Sequence, residues 1–336
     1  MSMKRAETSA RLAPLMILYF SGVGGTKVIA ELLGRLLADR IARECEVRSI
    51  EEDGAAEAAA RAGFLVLCYP TYFLKPAPAM RDFILSLPPD GEGRKVALVT
   101  SYELYTGNSN RVAAGLLGGR GYAVAGAYEL RAPGTDVTCV VPDWACAWLY
   151  RFESRFPGKI AEIAQRIAAL AAALPAESPP VGDGPAADES SGRAPSGVAP
   201  RDLPRSEFPR ARAGIPSPKW YTPLAWPLQV LFLDGFIRWK DRMKVLEERC
   251  SGCDLCVRDC HRSAWRRTGA GLEHRGETCD LCLRCVHHCP RRAIVLKKGL
   301  KDNRRLDGSL YRNLSREAEK TCKDGANARK KTRQEQ

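Results

Sequence analysis

The sequence predicts a doubly wound α/β domain followed by a small α+β domain, on three observations. From residue 15 to 172 short apolar runs alternate with helical patterns. Several of those runs are continuously hydrophobic, as strands buried on both faces of a parallel sheet are. Eight of the 13 cysteines fall in two short runs of identical spacing between Cys250 and Cys289.

Five strands are expected: LMILYF (15–20), CEVRSI (45–50), GFLVLCYP (63–70), KVALVTSY (95–102) and YAVAGAYEL (122–130). Between the first two, Val28, Ile29, Leu32, Leu33, Leu36, Leu37 and Ile41 recur at the spacing of one helix face. Further helices are expected over 77–87, 109–120 and 144–172, the last interrupted near Pro157. In sheets of this class ligands bind beyond the carboxyl ends of the strands. The three loops at such ends are therefore candidate binding segments. The first, Ser21, Gly22, Val23, Gly24, Gly25 and Thr26, opens a helix, where small residues and backbone N–H groups suit a phosphate. The second offers Thr71 and Tyr72, the third Tyr102, Tyr105 and Gly107, and these tyrosines can equally be ordinary rim residues.

The expected boundaries are 1–172 for the α/β domain, 173–240 for a linker, 241–300 for the cysteine-rich domain and 301–336 for a basic, disordered tail. The linker is rich in Pro, Gly, Ser and Ala up to about 218, with little to bury. It ends in KWYTPLAWPLQVLFLDGFIRWK (219–240), whose Trp220, Trp226 and Trp239 suit packing against a domain, or peripheral contact with a membrane surface or partner. The basic, then apolar N-terminus lacks a small-residue cleavage site and runs into folded pattern, so it reads as a strand and not as a leader. A cytoplasmic location is expected, in which dense thiols mean metal binding and not disulfides. Residues 240–336 hold 25 Lys and Arg against 14 Asp and Glu, a net +11 of the chain's +13. With no recognised nucleic-acid module beside it, that charge points to acidic redox partner proteins, and no specific nucleic acid is expected.

Each cysteine run has the form C-x2-C-x2-C-x3-C: Cys250, Cys253, Cys256 and Cys260, then Cys279, Cys282, Cys285 and Cys289, offset by 29 residues. Thiolates select zinc or iron–sulfur clusters. Zinc sites draw ligand pairs from separated knuckles, whereas a third cysteine at the same interval suits the face of a four-iron cube. The stretch around 245–300, with Pro290 after the second run, resembles the two-[4Fe-4S] ferredoxins. That resemblance implies that Cys250, Cys253, Cys256 and Cys289 hold one cluster, and Cys279, Cys282, Cys285 and Cys260 the other. His261 stands where the family has proline, and it, His287 and His288 are expected to be solvent-facing.

The loop YFSGVGGT resembles the phosphate loop of flavodoxins, with Ser21, Gly24 and Thr26 in place and Val23 and Gly25 departing from the pattern. The resemblance implies FMN, with Tyr72 stacking on its ring. Glu103 and Leu104 replace much of a Gly-rich loop that relatives carry. Together the two parts resemble flavodoxin–ferredoxin fusion proteins of electron transfer. Two alternatives stand beside this expectation: a flavin-free docking module fused to a ferredoxin, and a flavin-dependent reductase with its own substrate, for which no catalytic acid, base or nucleophile is evident.

Overall fold

The computed structural model describes residues 14–41, 44–90, 93–103, 105–135, 155–173, 243–269 and 271–296, with 144, 305, 306, 316 and 320. The expected linker and its Trp-rich end, most of the basic tail, Leu104 and most of 144–154 lie outside the described residues.

The N-terminal domain runs β1 (Leu15–Tyr19), α1 (Gly25–Ala38), β2 (Cys45–Ser49), α2 (Ala55–Arg61), β3 (Phe64–Tyr72), β4 (Lys75–Pro76), α3 (Pro78–Ser86), β5 (Lys95–Tyr102), α4 (Ser109–Gly119), β6 (Ala123–Arg131) and α5 (Phe156–Ala172). The sheet order is β2-β1-β3-β5-β6, all parallel, with the two-residue β4 folded back antiparallel on the end of β3. Without that short hairpin the order is 2-1-3-4-5, the flavodoxin-like form of the doubly wound sheet. Successive residues of β1 and β3 enter opposite cores. Leu15, Ile17, Phe64 and Val66 pack under α1 and α5, while Met16, Leu18, Leu65 and Leu67 pack under α2, α3 and α4. Both faces are buried, which is why these strands read as unbroken apolar runs.

The five long strands match expectation closely. Two short elements were not foreseen. In α2 the buried side chains are Ala55, Ala58 and Ala59, too small to stand out as an apolar stripe. Pro157 lies in the first turn of α5, which begins at Phe156, and there a missing N–H costs nothing; the part of the expected 144–172 helix before it falls on residues 145–154, outside the described ones.

The C-terminal residues 243–296 form a compact cysteine unit built from two copies of one motif. The first copy is β7 (Met243–Val245), a 3-10 turn at Glu247–Arg249, α6 (Leu255–Arg258) and β8 (Trp265–Thr268). The second is β9 (Gly271–His274), a 3-10 turn at Gly276–Thr278, α7 (Arg284–His288) and β10 (Ile294–Leu296). Outer strands pair as β7–β10 and inner strands as β8–β9, both antiparallel. The repeat reaches the backbone. Asp254 and Leu283, Ser263 and Arg292, and Gly252 and Leu281 are left-handed at positions 29 apart, and the bonds Leu246 N–H to Ala293 O and Arg275 N–H to Ala264 O are repeat equivalents. Left-handed non-glycine residues cost free energy and gather where a chain clamps a ligand. Between the copies lies a core of Met243, Trp265, Leu283, Val286, Ile294 and Leu296. Among the described residues no helix is long and apolar enough to cross a membrane.

Candidate functional site

Two cavities open inside the cysteine unit, and the eight thiols divide between them. One is lined by Cys279, Cys282 and Cys285 of the second run with Cys260 of the first. The other is lined by Cys250 and Cys253 of the first run with Cys289 of the second, and Cys256 borders both. The crossing follows from the helices. In each run the first three cysteines wrap the loop and first turn of α6 or α7, and the fourth leaves the far end towards its twin's cavity. Backbone donors face the sulfurs in matching places: Ala264 N–H to Cys260 Sγ at 3.3 Å and Ala293 N–H to Cys289 Sγ at 3.2 Å. Leu281 N–H adds a bond to Cys279 Sγ at 3.3 Å. Such bonds stabilise negative sulfur and tune a bound cluster. Burial pushes the Cys256 thiol up to about 11 and the Cys282 thiol up to about 12, whereas the N–H of Leu255 lowers that of exposed Cys253. Free, the buried thiols are neutral; loading a metal must release their protons.

The second cavity belongs to an outward face and the first to an inward one. Cys253 is exposed, while its repeat twin Cys282 is 8% exposed and lies against the N-terminal domain. A Cβ built on Gly22 would stand 2.9 Å from the carbonyl oxygen of Cys282. The cysteine unit therefore rests on the first strand-to-helix loop, at the point where β1 is flanked by β2 and β3.

Arg284, the first residue of α7, uses all five N–H donors, four of them on the N-terminal domain. Nε bonds Gly22 O at 2.9 Å, Nη1 bonds Asp259 O and Glu51 Oε1 at 2.9 Å each, and Nη2 bonds Ser21 O and Glu51 Oε2 at 2.7 Å each. The pair with Glu51 is bidentate, the strong form of a charge-assisted contact. The His261 ring meets Phe20 edge-on at 5.0 Å and bonds Asp280 at 2.9 Å, and Arg262 joins Asp280 to Asp82 of α3. His287 Nδ1 accepts from Leu306 N–H at 3.1 Å, so Nε2 carries the hydrogen and donates to Thr135 O at 3.0 Å. Burial lowers the His287 pKa to about 4.

These contacts correct the expectation that the histidines face solvent. The side chain of His261 is 8% exposed and His287 is buried; only His288 lies outward. A signal in the sequence marks them. Arg284 replaces Leu255 of the other copy, His261 replaces Pro290 and Asp280 replaces Ser251, so the docked face is where the repeat breaks its own symmetry.

The three candidate loops come together at one end of the sheet, but their side chains are engaged in protein contacts. Ser21 Oγ accepts from Gly24 N–H at 3.0 Å, Thr26 Oγ1 shares a buried hydrogen bond with Ser101 Oγ at 3.0 Å, and Val23 is buried at the place where a hydroxyl was expected. Gly24, at φ 105°, turns the chain into α1, which Gly25 begins. Tyr72 lies edge-on to Phe20 at 6.4 Å, with its hydroxyl 2.5 Å from the position of a Gly22 Cβ. Thr71 Oγ1 is buried without a partner among the described residues. Tyr102 ends β5 in register with Arg131. Gly107 does not border an open slot: it is pressed onto the 73–74 hairpin, its Cβ position 2.3 Å from that of Leu74. In this docked arrangement the residues do not fit FMN, because the carbonyls of Ser21 and Gly22 hold a cation and the main chain of Cys282 covers Gly22.

No family model matches the chain, and no curated protein is significantly similar to it. Solved structures similar to it include a flavodoxin from the domain Archaea, 19% identical over 46% of this chain and 98% of its own, TM-score 0.33. The two-electron reduced flavodoxin of Megasphaera elsdenii is 20% identical over 46% and 98%, TM-score 0.34. The rubredoxin:oxygen oxidoreductase of Desulfovibrio gigas is 17% identical over 49% and 38%, TM-score 0.33. The class of the N-terminal domain is given by its own strand order.

Proposed function

We propose that the chain is an electron carrier whose redox groups are two [4Fe-4S] clusters, held by a two-cluster ferredoxin-like unit seated on a flavodoxin-like domain. The observation that supports this reading is the division of thiols between two cavities, each lined by three from one run and the fourth from the other, with Cys256 bordering both. Among the described residues no three His, Cys, Asp or Glu side chains come together closely enough to hold a single metal ion. Thiols spread around a cavity suit a four-iron cube better than a lone zinc. When bound, each cluster supplies one-electron storage at a potential set by its thiolates, hydrogen bonds and exposure.

The chain's residues assign the two sites different duties. Cys250, Cys253, Cys256 and Cys289 present the outward site, where exposed Cys253 offers a partner a short approach. Cys260, Cys279, Cys282 and Cys285 shield the inward site behind Gly22, Phe20 and Arg284. The proposed partners are acidic redox proteins, one oxidised as it delivers an electron and another reduced as it removes it, steered by the positive charge of residues 240–336. FMN, which the first domain's resemblance implies, would add a group able to take one or two electrons; no electron step is assigned to it in the docked arrangement. The bonds of Arg284 favour a second reading, in which the first domain is a seat for the cysteine unit and the clusters alone carry electrons.

Anaerobic reductive titration tests the proposal. Uptake of one electron per cluster, returned on adding an oxidised acceptor protein, is expected. A metal-loaded protein that takes up no electrons would overturn it.

A further inference from the structure

The sequence marks residues 21–26 as a phosphate cradle, yet a bidentate cation–anion contact between the two parts of the molecule is built beside that same loop. Arg284 turns its guanidinium onto the carbonyls of Ser21 and Gly22 and closes a bidentate pair with Glu51, just beyond β2. We propose that seating of the cysteine unit and binding of a phosphate-terminated flavin at residues 21–26 are mutually exclusive, with Arg284 and Glu51 as the latch.

Three independent features carry this. The first is space: the main chain of Cys282 lies where even a methyl group on Gly22 would crowd it, and a carbonyl oxygen is not a flexible side-chain tip that can swing away. The second is polarity. A phosphate dianion needs N–H and O–H donors, but Gly24 N–H and the Thr26 hydroxyl bond within the domain, and the groups turned outward at Ser21 and Gly22 are acceptors. Glu51 adds a carboxylate at the rim, which attracts Arg284 and repels phosphate. The third is multiplicity. His261 on Phe20, Arg262 on Asp82 and His287 on Thr135 fix the same seat from separate elements, so the contact is a surface and not one stray ion pair. That Arg284, His261 and Asp280 all depart from their repeat twins shows the face to be specialised.

Exclusive occupancy differs from cluster binding and is measured separately. The full-length, metal-loaded protein is titrated with FMN, and with riboflavin, which lacks the phosphate, by flavin fluorescence. Hydrogen exchange at residues 20–26 reads docking in the same samples. Against the unaltered chain, the double variant Arg284→Ala with Glu51→Gln is expected to bind FMN about tenfold or more tightly, as loss of a charge-assisted pair implies, with riboflavin changed less and the loop amides exchanging faster. Glu51→Lys is the second variant. It leaves the cysteine unit untouched, sets like charge against Arg284 on the surface, and is expected to give the same gain. Unchanged or weaker FMN binding in both variants overturns exclusivity, and weaker binding would make Arg284 a phosphate ligand. Stoichiometric FMN in the unaltered protein with the loop amides still protected overturns it as well. Iron and sulfide content in Glu51→Lys, whose change lies outside the cysteine unit, stays that of the unaltered chain, so failure here is distinct from failure of the cluster reading.

Discussion

Cys260→Ser is expected to cost the chain the cluster whose other thiols are Cys279, Cys282 and Cys285, and to leave the cluster of its own run in place. Cys289→Ser is expected to do the reverse, removing the site of Cys250, Cys253 and Cys256. Each variant should retain about four of about eight irons, as loss of one four-iron cluster implies. The cause is geometric: the fourth cysteine of each run lies beyond a short helix and lines the cavity of the opposite run. Alkylation of the freed thiols, followed by mass spectrometry, reads which set has lost its metal. Labelling of Cys250, Cys253 and Cys256 in Cys260→Ser, with Cys279, Cys282 and Cys285 protected, would contradict the crossed assignment.

The second large effect is on stability. Gly107→Ala is expected to destabilise the N-terminal domain by about 2–4 kcal/mol, from a left-handed backbone and an overpacked contact together. Gly107 has φ 57°, and its added methyl would meet Cβ, Cα and O of Leu74 at 2.3, 2.9 and 2.8 Å. Two of those atoms are backbone, so the 73–74 hairpin must lift as a body. Urea unfolding checks the value, and adding Leu74→Gly should recover part of the loss, since it removes the Cβ contact and relaxes a residue at φ 66°. Simple additivity of the two substitutions would mean that the hairpin does not bear on Gly107.

Much of this architecture is legible from the sequence because burial on both faces leaves unbroken apolar strands. LMILYF and GFLVLCYP announce β1 and β3, the pair that frames the candidate site. The crossed thiol sets come from the resemblance to two-cluster ferredoxins that the spacing carries, not from the spacing alone. Other features give little sign. The alanines of α2 carry no apolar stripe, and β4 is two residues long. The seat of the cysteine unit depends on Glu51 meeting Arg284 across 233 positions, a tertiary contact that no local propensity encodes. Its trace is comparative: a charged residue in one copy of a repeat where the other has leucine. Val23 and Gly25 were departures from a phosphate loop in the sequence. In the structure Val23 is packed inward while the loop's carbonyls serve the neighbouring unit.

Iron and acid-labile sulfide in anaerobically purified full-length protein test the central claim, that the crossed thiol sets of the cysteine unit hold two four-iron clusters. About eight irons and eight sulfides per chain are expected. Stoichiometric zinc with negligible sulfide would contradict it.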